Sequence, residues 1–174
     1  MQKERPSKDR YYLNIAKQIA ERSTCFRNKG GAIIVRDDQI VAAGYIGAPR
    51  KTKDCVERGE CLREKLNIPS GQRYELCRSV HAEMNAIINA ARAGVSLYGG
   101  DMYNFHHERD SFACFLCKKM IINAGLSRVI CSMKDDSSKT FSVEDWVREW
   151  QEGDMIDDKD KYGEDVNKKN GKEE

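Results

Sequence analysis

An α/β domain built on a mixed central sheet is what the sequence predicts, and three observations predict it. Two apolar runs of strand type, 32–35 and 40–45, flank Asp37 and Asp38, which read as the turn of an antiparallel hairpin. Farther on, a strand-like run at 101–105, a helical segment at 114–124 ended by Gly125 and a second strand at 128–131 have the spacing of a parallel crossover. Ahead of the hairpin, a helical run after Ser7 supplies a layer to cover one sheet face.

The elements follow in order. In the first helix Tyr11, Ile15 and Ile19, with Tyr12 and Ala16, fall on neighbouring turns, and the run ends at 21–24. Arg27-Asn28-Lys29-Gly30-Gly31 then turns the chain into the hairpin, and Gly47-Ala48-Pro49 breaks its second strand. Residues 50–80 form a long, charged, irregular connection carrying Cys55, Cys61 and Cys77. Such a loop in a compact domain is uncommon unless it is functional or held by something. A helix over 80–93 shows Met84, Ile87, Ile88 and Ala91 as its expected buried stripe, and Gly94 ends it. After Ser132 the composition turns polar, with one short helix at 143–150 in which Val143, Trp146, Val147 and Trp150 share a face that caps the domain or an interface. One domain over 1–150 is expected, followed at 151–174 by a charged tail that is partly disordered.

The chemistry gathers at His81-Ala82-Glu83-Met84-Asn85-Ala86-Ile87, which sets an imidazole and a carboxylate two residues apart at the head of the helix over 80–93. Alone, that pair is a common surface pattern. Cys114-Phe115-Leu116-Cys117 adds two thiols one turn apart at the start of the next helix. One His and two Cys leave a position open on a zinc ion, and three protein ligands plus a water mark a catalytic site where four protein ligands mark a structural one. Glu83, not needed as a ligand, is placed to move protons. A dithiol redox pair is a rival reading of Cys114 and Cys117. A non-catalytic zinc module is another, though it has no need of Glu83.

Of 174 residues, 40% are hydrophobic and 33% charged, and the formal net charge is +2, the balance of a soluble protein without a nucleic-acid partner. A small anionic substrate remains open. No apolar run approaches the roughly 18 residues of a membrane span, and the amino end lacks the apolar core of a signal peptide, so a cytoplasmic location without membrane contact is expected. In that reducing setting seven cysteines favour metal ligation over disulfides. Cys131 sits in an apolar strand and reads as a core residue. Cys25, Cys55, Cys61 and Cys77 remain, and four thiolates there would close a second, structural zinc site that orders the long connection. His106 or His107 is a substitute ligand, and free thiols are the simpler alternative. Arg50, Lys51, Lys53 and Arg73 in the connection either meet a phosphate or are merely solvated.

Four pieces carry a family resemblance: Gly44-Tyr45-Ile46-Gly47-Ala48-Pro49, Val80-His81-Ala82-Glu83-Met84-Asn85-Ala86-Ile87, Cys114-Phe115-Leu116-Cys117 and Ile121-Ile122-Asn123-Ala124-Gly125. With them the chain resembles the deoxycytidylate deaminases, including their ComE-like branch, over about residues 7–150. His-x-Glu followed by Pro-Cys-x-x-Cys is the recognised zinc deaminase signature, and the chain matches it with Ala113 in place of the proline. The resemblance implies a three-layer α-β-α cytidine deaminase-like fold. It implies zinc held by His81, Cys114 and Cys117, Glu83 as the catalytic residue, and hydrolysis of dCMP to dUMP and ammonia, supplying thymidylate synthesis.

It also implies a homo-oligomer, a hexamer, with dCTP as activating and dTTP as inhibiting effector near Tyr45 and Gly47. Arg50 and Arg73 are further candidates for substrate or effector contacts. Some members bind a second zinc in the region of the four spare cysteines. Two departures bear on the pocket. Ile46 stands where Asn is common, and Asn104-Phe105-His106-His107 replaces a Thr-Leu pair with a longer connection to Cys114. Deamination of another cytosine nucleotide such as dCTP, or a tRNA adenosine deaminase-like activity, is the alternative. The latter relatives usually lack the Gly-Tyr-x-Gly-x-Pro segment.

Overall fold

A computed structural model describes residues 5–153. Helix α1 (Lys8–Ala20) starts at Ser7, whose side chain accepts from Arg10 N–H. Strands β1 (Gly30–Arg36) and β2 (Gln39–Tyr45) form the expected hairpin, with Asp37 and Asp38 at φ of 51° and 59°, the left-handed conformations a two-residue type I′ turn requires. The long connection holds two one-turn helices, α2 (Cys55–Arg58) and α3 (Leu62–Lys65), and a 3-10 turn at Tyr74–Leu76. Then come α4 (Ala82–Ala93), β3 (Asp101–His106), α5 (Phe115–Asn123), β4 (Arg128–Ser132), β5 (Ser138–Ser142) and α6 (Val143–Glu152). Helix α6 therefore runs two residues into the segment expected as a tail. The expected disorder of the remaining tail lies outside the described residues.

The sheet order is β2-β1-β3-β4-β5, with β3 and β4 parallel and every other pair antiparallel, which is the predicted mixed sheet. Its two faces are read directly from the alternation in β1. Ile33 and Val35 meet Tyr12, Leu13 and Ala16 of α1, while Ala32 and Ile34 belong to a larger core with α4, α5 and α6. Helix, sheet and helices thus make three layers.

Helix α4 corrects the expected stripe. Ala82, Ala86 and Ala90 are its buried residues, Met84 and Ile87 pack at the margin, and Ile88 and Ala91 are exposed. The cause is proximity: a Cβ at Gly44 would lie 2.3 Å from Ala86 N and 2.4 Å from Ala82 O, so helix and strand touch backbone to backbone and only alanine fits between them. In α1, similarly, Tyr11 is exposed while Leu13 and Ala20 are buried. In α6 Val143 and Trp146 enter the core as expected, whereas Trp150 stays at the surface against Phe115. Strand β5 was not expected, because Ser138-Lys139-Thr140-Phe141-Ser142 is polar. It is an edge strand whose Phe141 alone packs against the core.

Candidate active site

The parallel pair β3–β4 puts its carboxyl ends beside the amino ends of α4 and α5, the place where open α/β sheets hold ligands. Residue 81 reaches that place because Gly47 and Val80 bridge backbone to backbone. Asn85 Nδ2 donates to the Tyr45 carbonyl (2.8 Å) and Asn89 Nδ2 to the Ala43 carbonyl (2.7 Å), locking α4 to β2. His81 and Cys114 are the residues flanking α4 and α5, in extended conformation, and neither side chain caps its own helix. Both side chains are turned on each other instead. Cys114 Sγ and Cys117 Sγ each lie 3.4 Å from His81 Nδ1.

These three ligand atoms all fall within 4.8 Å of one another, and among the described residues they are the one such group of His, Cys, Asp or Glu. Zinc–sulfur and zinc–nitrogen bonds at tetrahedral angles would set S and N about 3.6 Å apart. The observed spacing and the soft donor set therefore fit one zinc with a ligand position left over. Cys117 is fully buried. The edge of the Tyr74 ring packs on the His81 imidazole at 4.8 Å.

The protons of the cluster are already unequally shared. Hydrogen bonding from Cys117, then from His81, holds the Cys114 thiol down at about 4, and Cys117 is pushed far up by its bond to Cys114 and by burial. Burial disfavours a charged His81, but the Cys114 thiolate and Glu83 outweigh it and raise its pKa. Burial also raises Glu83, against the pull of His81. A carboxyl moved in that direction can both accept and donate protons nearer neutral pH.

A cavity of about 250 Å³ opens over this cluster, close to the lower end of small-molecule sites, roughly 300 Å³. Cys25, Cys55, Cys61 and Cys77 also line it, so the structure brings the four spare cysteines to one region. Cys55 is raised first by burial and then by the charges of Cys25, Cys61 and Cys77, and its Sγ sits 3.8 Å from Ser79 Oγ. Their sulfurs do not reach the mutual spacing of the His81 group.

The other expected contacts lie elsewhere. Tyr45, Gly47 and Arg50 line a separate shallow depression beyond β2, together with Lys51 and Lys53. Arg73, at a left-handed φ of 50°, pairs with Glu75 at the surface and lines neither cavity. His107 is bound to Glu21 (2.7 Å), and His106 Nδ1 accepts from Glu108 N–H, so neither joins the cysteines. Cys131 is buried in the core as expected, and burial raises its thiol to about 12. The sequence reading missed the arginines of the main cavity, Arg27, Arg63, Arg78 and Arg109. Three of them flank cysteines or the zinc motif in sequence, but a charged residue in a loop carries no sign of which way it faces. Among the described residues no helix is long and apolar enough to cross a membrane.

Residues 6–133 match the family described as the cytidine and deoxycytidylate deaminase zinc-binding region. The chain is similar to the deoxycytidylate deaminase of Saccharomyces cerevisiae, 34% identical over 141 residues that cover 79% of this chain and 42% of that protein. It is 36% identical over 126 residues to ComE operon protein 2 of Bacillus subtilis, covering 72% of this chain and 59% of that one. It thus spans less than two thirds of either relative. The crystal structure of dCMP deaminase from the cyanophage S-TIM5 in complex with dCMP and dUMP superposes with a TM-score of 0.55 at 26% identity, covering 73% of this chain and 82% of that chain.

Proposed function

Because the chain belongs to the cytidine and deoxycytidylate deaminase zinc-binding family, we propose that it hydrolyses dCMP to dUMP and ammonia and so supplies dUMP for thymidylate synthesis. One observation carries the reading: His81, Cys114 and Cys117 converge within 4.8 Å and Glu83 stands two residues from His81 with its carboxyl pKa raised by burial. Zinc held by His81, Cys114 and Cys117 would supply Lewis acidity and a water ionised near neutral pH. Glu83 takes the proton of the attacking water, passes it to N3 of the pyrimidine as C4 is attacked, and delivers the next proton to the departing ammonia. Cys117, fully buried, and Cys114, at the start of α5, hold the geometry. Ammonia release from a panel of dCMP, dCTP, deoxycytidine and adenosine substrates tests the reading, and dCMP is expected to be turned over best.

A second, structural zinc on Cys25, Cys55, Cys61 and Cys77 is part of the same proposal. Their shared wall of the cavity and the mutual charge effect on Cys55 support it, and a metal would draw the four sulfurs together. Metal analysis is expected to find two zinc per chain and one after Cys55 and Cys61 are both replaced by Ser. One zinc in each protein would remove the second site.

Assembly into a homohexamer with dCTP and dTTP as effectors is proposed on the family resemblance, with the depression at Tyr45, Gly47 and Arg50 as effector site. The basic residues Arg50, Lys51 and Lys53 around it suit a triphosphate. Sedimentation and the same ammonia assay with each triphosphate added test this. A monomer with unaltered kinetics would reject it.

A further inference from the structure

The nucleotide reading leaves a phosphate to be held, and the arginines expected to hold it do not reach the main cavity. Arg50 donates to Asn89 Oδ1 (2.6 Å) outside it, and Arg73 is tied to Glu75. Four other guanidinium groups line that cavity, and three are already committed. Arg27 donates to the Ile68 carbonyl (3.2 Å), Arg78 to the Lys53 carbonyl (3.1 Å), and Arg63, 5% exposed, to the Pro69 carbonyl (2.7 Å) while stacked over Tyr74.

Arg109 differs from these three. Among the described residues no hydrogen bond or ion pair engages its half-buried side chain. Its backbone is nonetheless held on both sides. Before it, His107 N–H donates to the Lys29 carbonyl (3.1 Å) and the His107 ring binds Glu21. After it, Asp110 Oδ1 accepts from Lys134 N–H (2.9 Å). Ser111 follows, its N–H bonded to the Ser132 carbonyl (3.0 Å) and its Oγ to the Asn104 (2.7 Å) and Ser132 (3.0 Å) carbonyls. Two anchors, one just before β1 and one at the end of β4, thus hold Arg109 in the cavity wall. It lies within electrostatic reach of the His81 ring.

Four arginines line this cavity with the carboxylates of Glu83 and Asp110, and Asp110 is already engaged by a backbone amide. A guanidinium fork matches phosphate oxygens in pairs, so the uncommitted one suits a phosphate. We propose that Arg109 receives the 5′-phosphate of a cytosine nucleotide whose base lies at His81, Cys114 and Cys117, and so selects nucleotide over nucleoside. This rests on the reading of the site as a cytosine nucleotide deaminase.

The zinc-loaded Arg109→Ala and Arg109→Lys variants test it by calorimetric binding of dUMP and deoxyuridine and by kcat/KM for dCMP and deoxycytidine. For Arg109→Ala, dUMP affinity and dCMP kcat/KM are expected to fall about 10- to 100-fold, the cost of one charge-assisted contact. For deoxyuridine and deoxycytidine, which carry no phosphate, the loss is expected to be about 10-fold smaller. Arg109→Lys keeps the charge without the fork and should lie between the two. Equal losses with and without the phosphate would overturn the proposal, as would wild-type affinity for dUMP in Arg109→Ala or a wild-type protein that binds dUMP no better than deoxyuridine. Should the wild-type protein deaminate no cytosine compound, the reaction reading fails, and the binding comparison still decides the role of Arg109.

Discussion

Glu83 depends on its neighbours for the role proposed for it: burial lifts its pKa, and the start of α4 keeps it two residues from a ligand. Replacing it with Gln keeps the shape of the side chain and removes the proton. Turnover should fall about 10²- to 10⁴-fold or more while zinc content stays at the wild-type level, since the same group serves as acid and base. Near-normal turnover in Glu83→Gln would contradict the role. His81, Glu83, Cys114 and Cys117 are legible in the sequence because their chemistry and spacing are both written in it. Arg109 is not, because an arginine in a loop looks solvated until Asp110 and Ser111 are seen anchored to the end of β4.

At the scale of elements, the site depends on how closely α4 approaches β2. The hairpin and the strand, helix, strand crossover could be read from apolar runs and turn residues. The buried face of α4 could not, since hydrophobicity favours Ile88 and Ala91 while contact with Gly44 selects Ala82 and Ala86. Gly44 is the hinge of that argument. Gly44→Ala should lower unfolding stability by about 2–3 kcal/mol, because its Cβ would overlap backbone atoms that cannot rotate away. Chemical denaturation measures this, and an unchanged midpoint would mean that α4 can retreat from the strand without cost. The polar β5 shows the opposite limit. Its pairing with β4 supplies backbone hydrogen bonds that no side-chain pattern advertises.

Across the whole molecule, α1 closes one face of the mixed sheet, and α4 and α5 bring their amino ends together on the other. The three layers follow from alternating apolar residues in β1, which the sequence displays. The cavity does not, because its walls come from the long connection, the start of β1 and the loop after β3, segments distant in sequence and poor in periodicity. The four spare cysteines and four arginines share those walls with His81 and Cys114. The central claim is that this arrangement deaminates dCMP. Zinc-loaded protein incubated with dCMP, with ammonia and the nucleotide product both quantified, tests it most directly. One ammonia is expected for each dUMP formed, at a rate above that for deoxycytidine or adenosine. No conversion of dCMP or of any other cytosine nucleotide would contradict the account.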